Sequence, residues 1–493
     1  MHSYLRKSGT ELARMIKAGE ASSEAVVAAH LARLREVNPA LNAVVRERRE
    51  EALAAAREAD RVLAERGPEG TGPLHGVPCT IKECFELEGM PQSSGLVSRR
   101  HLCSSRDGVT VKRLRAAGAI PLGVTNVSEV LMWMESNNRV YGRCNNAYDP
   151  GRIAGGSSGG EGAAIGAGIA PFGLGSDVGG SIRMPAFFNG VFGHKPSAGL
   201  VPNSGQWPVA ENELGQLLGT GPLARRAEDL WPLLRVLAGP DGECPTCRPM
   251  ELGDPARVAM GELRVLDVAD NGATSVSKDL REAQRAVARS LAATGARVSA
   301  RRFDRLRRSL HYWSATMSAT GGTPFGVLLS GGGERKKALP ELGRWALGKS
   351  DHTLPALALA LIERIPEALP DRTRGLVEEA RSLRQELSDA LGDDGVMLYP
   401  SYSRAAPRHY MPLLTPLDFV YTAIINVMGF PSTQVPLGLN ADGVPLGVQV
   451  VAAHGNDHLT IAVARYLERA FGGWVPPPAP RSRRARRFSA SFA

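Results

Sequence analysis

A chain of 493 residues, 43% hydrophobic and 22% charged, can bury a large core, and its composition is that of a globular protein rather than a disordered or fibrous one. The formal net charge is +9, but Arg481, Arg483, Arg484, Arg486 and Arg487 crowd the end of the chain with no acid among them, leaving +4 elsewhere; that distribution argues against a nucleic-acid-binding body and for a solvated basic end. Six cysteines are too sparse for a disulfide scaffold, the N-terminus lacks the apolar core of a signal peptide, and no apolar run approaches the ~20 residues of a membrane span, so a cytoplasmic protein, soluble or attached peripherally to a membrane, is expected.

Residues 24–65 read as helices. Ser22 and Ser23 supply N-cap chemistry, Val27, Leu31 and Leu34 form one apolar face, and Asn38-Pro39 is expected to break the run. A second helix, rich in Ala, Glu and Arg, ends near Gly67-Pro68. From Pro73 to about Pro222 glycine and serine are frequent and apolar segments short. Gly76 to Lys82 looks like a turn into a buried strand, Val109 to Ala117 like a helix, and Ala119 to Val124 like another apolar strand. Further helices are expected over 227–238, 278–293 and much of 300–390. Apolar runs lie at 312–329 and 353–365; the longest clean one, Leu354 to Ile362, is about half a membrane span. Core strands are expected at 395–400, 429–438 and 446–451. Short buried strands alternating with helices point to an α/β fold around a mixed, mainly parallel sheet. No internal repeat or domain linker is evident, so residues 1–475 are expected to form one domain and 476–493, after Pro476-Pro-Pro478, a disordered basic tail.

Three segments carry the chemistry: Ile81-Lys82-Glu83, Gly155-Gly-Ser-Ser-Gly-Gly160 and Gly175-Ser-Asp-Val-Gly-Gly-Ser-Ile-Arg183. Gly155 to Gly160 is not a P-loop, because no Gly-Lys-Ser/Thr closes it, and Gly173 to Gly179 has the wrong spacing for a dinucleotide fingerprint. Cys244-Pro-Thr-Cys247 has no second pair or histidine cluster nearby, so neither metal nor cofactor is expected. Serine becomes a nucleophile when a base takes its proton, and a lysine can be that base if burial leaves it neutral. Lys82 follows the apolar Val77-Pro-Cys-Thr-Ile81. Gly179-Gly180 before Ser181 lets consecutive N–H groups converge on one oxygen as an oxyanion hole. Ser157 can relay a proton between base and nucleophile. His194 is the competing base.

On these motifs the sequence resembles the amidase signature family, whose signature is the Gly/Ser-rich core from Gly155 to Pro196 with a lysine upstream. Met132-Trp-Met-Glu-Ser136, Arg183 to Gly190, Phe192 to Pro196, Gly392-Asp-Asp-Gly395, Asn456-Asp-His-Leu459 and Phe471-Gly-Gly-Trp474 are similar to fatty-acid amide hydrolases, above all the second vertebrate type. The resemblance runs from about residue 5 to 475 and is weakest over 250–345. It implies a sheet covered by helices on both faces and a Ser-Ser-Lys triad: Lys82 as base, Ser157 as relay after a cis peptide, Ser181 as nucleophile. It places the oxyanion-hole N–H groups on Val178, Gly179, Gly180 and Ser181, and supporting polar roles on Ser158, Asp177 and Arg183. Many members carry Asp where this chain has Glu83.

The implied reaction is hydrolysis of a small-molecule carboxamide through an acyl-enzyme to a carboxylate and ammonia or an amine. A fatty-acid amide is the expected substrate. Short-chain or aryl amides remain open, as does a role within a glutamyl-tRNA amidotransferase-type complex, as the component that shares this signature and works with partner chains. No nucleic-acid contact is expected; peripheral membrane contact and a homodimer are left open, and 353–365 is either an apolar cap that makes such contact or a core helix.

Overall fold

Apolar runs too short to cover a helix become strands of one sheet. In this computed structural model, which describes residues 2–363 and 369–478, the strands are β1 (Val44–Glu47), β2 (Pro78–Lys82), β3 (Ile120–Thr125), β4 (Asn137–Asn138), β5 (Gly142–Arg143), β6 (Phe172–Asp177), β7 (Phe192–Lys195), β8 (Gly219–Ala224), β9 (Arg264–Asp267), β10 (Arg297–Ala300), β11 (Gly395–Tyr399), β12 (Ser432–Leu439) and β13 (Pro445–Ala452). Strands β4 and β5 make a separate ribbon. The other eleven form one sheet in the order β1-β3-β2-β6-β8-β7-β12-β13-β11-β9-β10. Neighbours are parallel in β3-β2-β6 and in β11-β9-β10, and antiparallel through the middle and at the β1 edge.

Alternating side chains feed two cores, because successive residues of a strand point to opposite faces. Val396 and Leu398 of β11 join one cluster, which takes in residues of helices Gly9–Lys17, Val109–Ala116, Leu230–Leu237, Lys278–Ala292 and Asp457–Phe471. Met397 and Tyr399 join the other, with residues of helices Arg183–Phe188, Pro370–Leu391 and Val420–Met428. The expected α/β architecture, a mixed sheet covered by helices on both faces, is the one the chain adopts; where a mainly parallel sheet was expected, four of its ten strand pairings are parallel and six antiparallel.

Asn38-Pro39 does not break its helix, which runs from Ser23 to Leu41 with Pro39 in the last turn and ends on Asn42 in the left-handed region (φ 50°, ψ 43°). Asn38 then organises the exit: its carbonyl oxygen accepts from the N–H groups of Ala43 and Val44, both at 2.9 Å, and its amide donates to the Val44 carbonyl at 2.8 Å. That turn launches β1, a four-residue edge strand too short to leave a periodic signal. The stretch 353–365, left open between an apolar cap and a core helix, contains a helix from Leu354 to Ile362, capped by Thr353. It buries Ala356 and Ala360 beside Val130, Phe325 and Leu329, and buries Leu357 as well, while Leu361 and Ile362 stay exposed. Residues 364 and 365 lie outside the described residues, as does the basic tail from 479 on. Among the described residues no helix is long and apolar enough to cross a membrane.

The two faces of β6 decide where the site lies. Phe172 and Leu174 point into the first core, and the Phe172 ring lies so close to Gly9 that a Cβ there would stand 2.7 Å from it. The opposite face carries Gly173, where a Cβ would come within 1.9 Å of Glu161; the missing side chain lets the helix Gly159–Gly166 lie directly on the sheet. Phe172→Ala should lower stability by about 3–5 kcal/mol, the usual range for a buried phenylalanine, read as a lower urea midpoint with an unchanged m-value.

Candidate active site

Parallel pairing of β2 with β6 brings the last residue of β2, Lys82, beside Ser176 near the end of β6. Lys82 is wholly buried. Its ammonium nitrogen lies 2.8 Å from Ser157 Oγ, 2.9 Å from Ser176 Oγ and 3.3 Å from the Ser176 carbonyl. Ser157 stands just before the helix Gly159–Gly166, and the Gly156–Ser157 peptide is cis. Ser158 makes the next link: its N–H donates to the Ser181 carbonyl at 3.3 Å and its hydroxyl to the Ser176 carbonyl at 3.3 Å. The segments separated in sequence as Lys82, Ser157-Ser158 and Ser176–Arg183 therefore form one constellation.

Burial lowers the Lys82 pKa to about 8, with the acidic groups Cys84, Asp177 and Glu161 opposing the shift. Glu161 is itself buried between the hydroxyls of Thr80 (2.6 Å) and Thr125 (2.8 Å), and burial raises its carboxyl to about 7. Glu83, beside Lys82 in sequence, accepts from the N–H and hydroxyl of Ser93, the Ser94 N–H and the Tyr141 hydroxyl; burial still raises it to about 7.

The turn after β6 carries Ser181, whose hydroxyl hydrogen-bonds to none of the described residues and which is 6% exposed against 0% for Lys82 and 1% for Ser157. Gly180 has a φ of 121°, and a Cβ there would stand 2.0 Å from Thr422 Oγ1, so glycine is demanded twice. Of the four N–H groups expected to point at one oxygen, that of Gly180 instead donates to Asp177 Oδ1 at 2.6 Å. Those of Val178, Gly179 and Ser181 have no partner among the described residues.

Asp177 and Arg183 form a fully buried ion pair at 3.0 Å. The carboxylate also accepts the Ile182 N–H at 3.1 Å, and the guanidinium reaches Gln449, Asn426 and the Thr422 carbonyl. Burial pushes the Asp177 carboxyl up, but the Arg183 charge and hydrogen bonds outweigh it and hold it down at about 2. His194 is a poor competitor for the base: its ring nitrogens face Thr433 Oγ1 at 2.8 Å and Asp457 Oδ1 at 3.1 Å. The sequence reading missed Ser176 and Glu161. Ser176 lay inside a segment already singled out, one residue before Asp177; Glu161 carried no signal, because its partners Thr80 and Thr125 are distant in the chain. Cys244 and Cys247 are free thiols, and the described residues hold no cluster suited to a metal ion.

A family model described as Amidase matches residues 25–461. Human fatty-acid amide hydrolase 2 is 45% identical over 485 residues, 95% of this chain and 90% of that protein. A glutamyl-tRNA(Gln) amidotransferase chain of Methylococcus capsulatus is 29% identical over 96% of this chain and 99% of that one. A solved structure of fatty acid amide hydrolase superposes with a TM-score of 0.77 at 25% identity, covering 96% of this chain and 86% of that one.

Removing Arg183 would strand the Asp177 charge in the core, so Arg183→Met should lower stability by about 3–5 kcal/mol in urea unfolding, and adding Asp177→Asn should recover part of the loss. With a folded-state pKa of about 2 against an ordinary 3.8, the carboxylate's contribution is fully present above pH 3.8 and is lost as pH falls through about 2.

Proposed function

From the premise that the chain belongs to the amidase family and hydrolyses carbon–nitrogen amide bonds, we propose that Ser181 is its nucleophile, Ser157 its proton relay and Lys82 its base. The observation that carries this reading is the 2.8 Å contact between Lys82 Nζ and Ser157 Oγ inside a site that lowers the lysine to about 8. Near pH 7 roughly a tenth of such a lysine is neutral, enough to accept a proton without metal help.

Neutral Lys82 takes the Ser157 proton while Ser157 takes the Ser181 proton and Ser181 Oγ bonds to the amide carbon. The carbonyl oxygen gains the negative charge and is held by the free N–H groups of Val178, Gly179 and Ser181. The proton returns from Lys82 through Ser157 to the amide nitrogen, because an amine leaves poorly as an anion; the C–N bond breaks and the acyl-enzyme remains. Water then repeats the relay and releases the carboxylate. Asp177, Arg183 and Ser158 support the loop without meeting the substrate.

A fatty-acid amide is the substrate this reading favours. Support comes from the human relative's name and from the exposed Leu361 and Ile362 at the end of the helix Leu354–Ile362, a surface suited to peripheral membrane contact by a cytoplasmic enzyme. The amidotransferase reading rests on a weaker likeness and would require partner chains; hydrolysis of acyl amides by the purified chain alone separates the two. Residues up to about 475 are read as one catalytic unit, with a homodimer compatible with it and the basic tail outside it.

Ser181→Ala should abolish turnover, and a fluorophosphonate should label wild type at Ser181; labelling elsewhere with Ser181 untouched would remove it as nucleophile. The log of kcat/KM should rise with unit slope up to about pH 8 and level off above, since the deprotonated lysine is the form that accepts. Lys82→Arg should stay inactive because guanidinium remains charged, whereas His194→Ala should cost far less per folded molecule. Deleting residues 477–493 should change kcat on a soluble amide by less than about threefold, small beside the ~tenfold of 1.4 kcal/mol.

A further inference from the structure

The direction of a backbone N–H is fixed by whatever holds the carbonyl of the same peptide, because in a trans peptide the two point opposite ways. The peptides from Asp177 to Ser181 are all trans, and every one of their carbonyls is held. Asn426 Nδ2 donates to the Asp177 carbonyl at 2.7 Å, Trp313 Nε1 to that of Val178 at 3.0 Å, Thr422 Oγ1 to that of Gly179 at 2.8 Å and the Met184 N–H to that of Gly180 at 2.7 Å. Those four peptides carry the N–H groups of Val178, Gly179, Gly180 and Ser181. The loop is thus oriented from behind, one carbonyl at a time.

Three of these anchors belong to the buried framework. Met184 lies in the first turn after the nucleophile, and Thr422 and Asn426 are wholly buried on a helix that Arg183 also grips. Trp313 is different. It is partly exposed and sits on the separate helix Ser309–Ala319. Its indole packs edge-to-face on Phe419, with centroids 5.1 Å apart at 84°. Both rings cover Gly179: a Cβ there would stand 3.5 Å from Trp313 Nε1 and 3.6 Å from Phe419. One side chain therefore holds the carbonyl of the peptide whose N–H, on Gly179, is free, and closes over that peptide.

We infer that Trp313 is a positioning residue for amide hydrolysis: its indole N–H, by anchoring the Val178 carbonyl, aims the Gly179 N–H at the oxyanion. This rests on the proposed role of Ser181 and the 178–181 loop. The effect has two parts. The anchored peptide needs no reorganisation when charge develops on the substrate oxygen. A donor on its carbonyl also polarises the peptide and strengthens its N–H as a donor in turn. Both act on the transition state more than on the bound amide, so the signature is a loss in kcat with KM nearly unchanged.

The test uses the purified full-length chain and Trp313→Phe, which deletes the N–H and keeps an aromatic ring against Phe419. A second variant carries 3-benzothienylalanine at 313, replacing the N–H by sulfur at matched volume, so that a packing defect cannot mimic the result. A soluble acyl amide, a trifluoromethyl ketone with the same acyl chain and a fluorophosphonate are the probes. The expected result in both variants is a kcat about 5–30-fold lower, a fraction of the ~10²–10³ lost with a direct oxyanion donor. KM should stay within twofold, Ki for the ketone should rise by a factor similar to the fall in kcat, and labelling should remain at Ser181. Values of kcat and Ki within twofold of wild type in the isosteric variant, with Ser181 still labelled, would overturn the inference and leave the proposed mechanism standing. A raised KM at unchanged kcat would overturn it too, by making Trp313 a wall for the substrate. Wild type that is not labelled at Ser181 would instead sink the reading on which the inference rests.

Discussion

The Asp177–Arg183 ion pair is the contact around which the site is assembled. Both side chains are fully buried, so neither charge is tolerable without the other, and each polar atom is given a partner. Asp177 collects the N–H groups of Gly180 and Ile182, folding the turn that presents Ser181. Arg183 turns outward from the same turn to Gln449 on β13 and to Asn426 and the Thr422 carbonyl on the helix Val420–Met428. Replacing the pair by apolar residues could cost little in stability, but it would release the turn from the elements that orient it. In this protein the buried pair serves geometry.

The same buried interior tunes Lys82, the proposed base. Burial is the dominant influence on Lys82, and it acts against the charged form; the acidic groups nearby pull the other way. Glu161 is the smallest of those influences, and its own carboxyl is raised to about 7 by burial, against the hydrogen bonds of Thr80 and Thr125, which favour its charged form. The ammonium nitrogen is met by Ser157, the Ser176 hydroxyl and the Ser176 carbonyl, so its position is fixed whichever protonation state it holds. A lysine whose charge is lowered by burial needs depth, and depth is supplied by glycine: Gly173 lets the Glu161 helix close onto the sheet, and Gly180 lets Thr422 close onto the turn that carries Ser181.

Much of this was legible in the chain itself. Val77 to Ile81 announced a buried strand, and a lysine at its end is unusual enough to mark Lys82. Gly179-Gly180-Ser181 announced a turn with room for converging N–H groups. Other features left no readable trace. Asn38-Pro39 looked like a helix stop, yet the helix carries Pro39 in its last turn and ends at Leu41, where Asn42 enters the left-handed region and the Asn38 side chain ties down the exit. The four-residue β1 gave no period to detect. The Gly180 N–H looked like an oxyanion donor in sequence and is held by Asp177, a choice made by the φ of one glycine.

Sequence alone determined the chemistry available: which residues can attack, which can take a proton, and which positions give the backbone freedom to turn. Those are properties of residue types and short spacings, and they survive without knowledge of the fold. Tertiary structure alone decided which of these groups meet and in what state. The Lys82–Ser157 contact spans 75 residues, the Trp313 anchor on Val178 spans 135 and the Asn426 anchor on Asp177 spans 249. Contacts at such separations depend on how sheet and helices pack, and so does the desolvation that brings a lysine near neutrality. No local pattern can encode either, because both are sums over neighbours that the chain brings together only by folding.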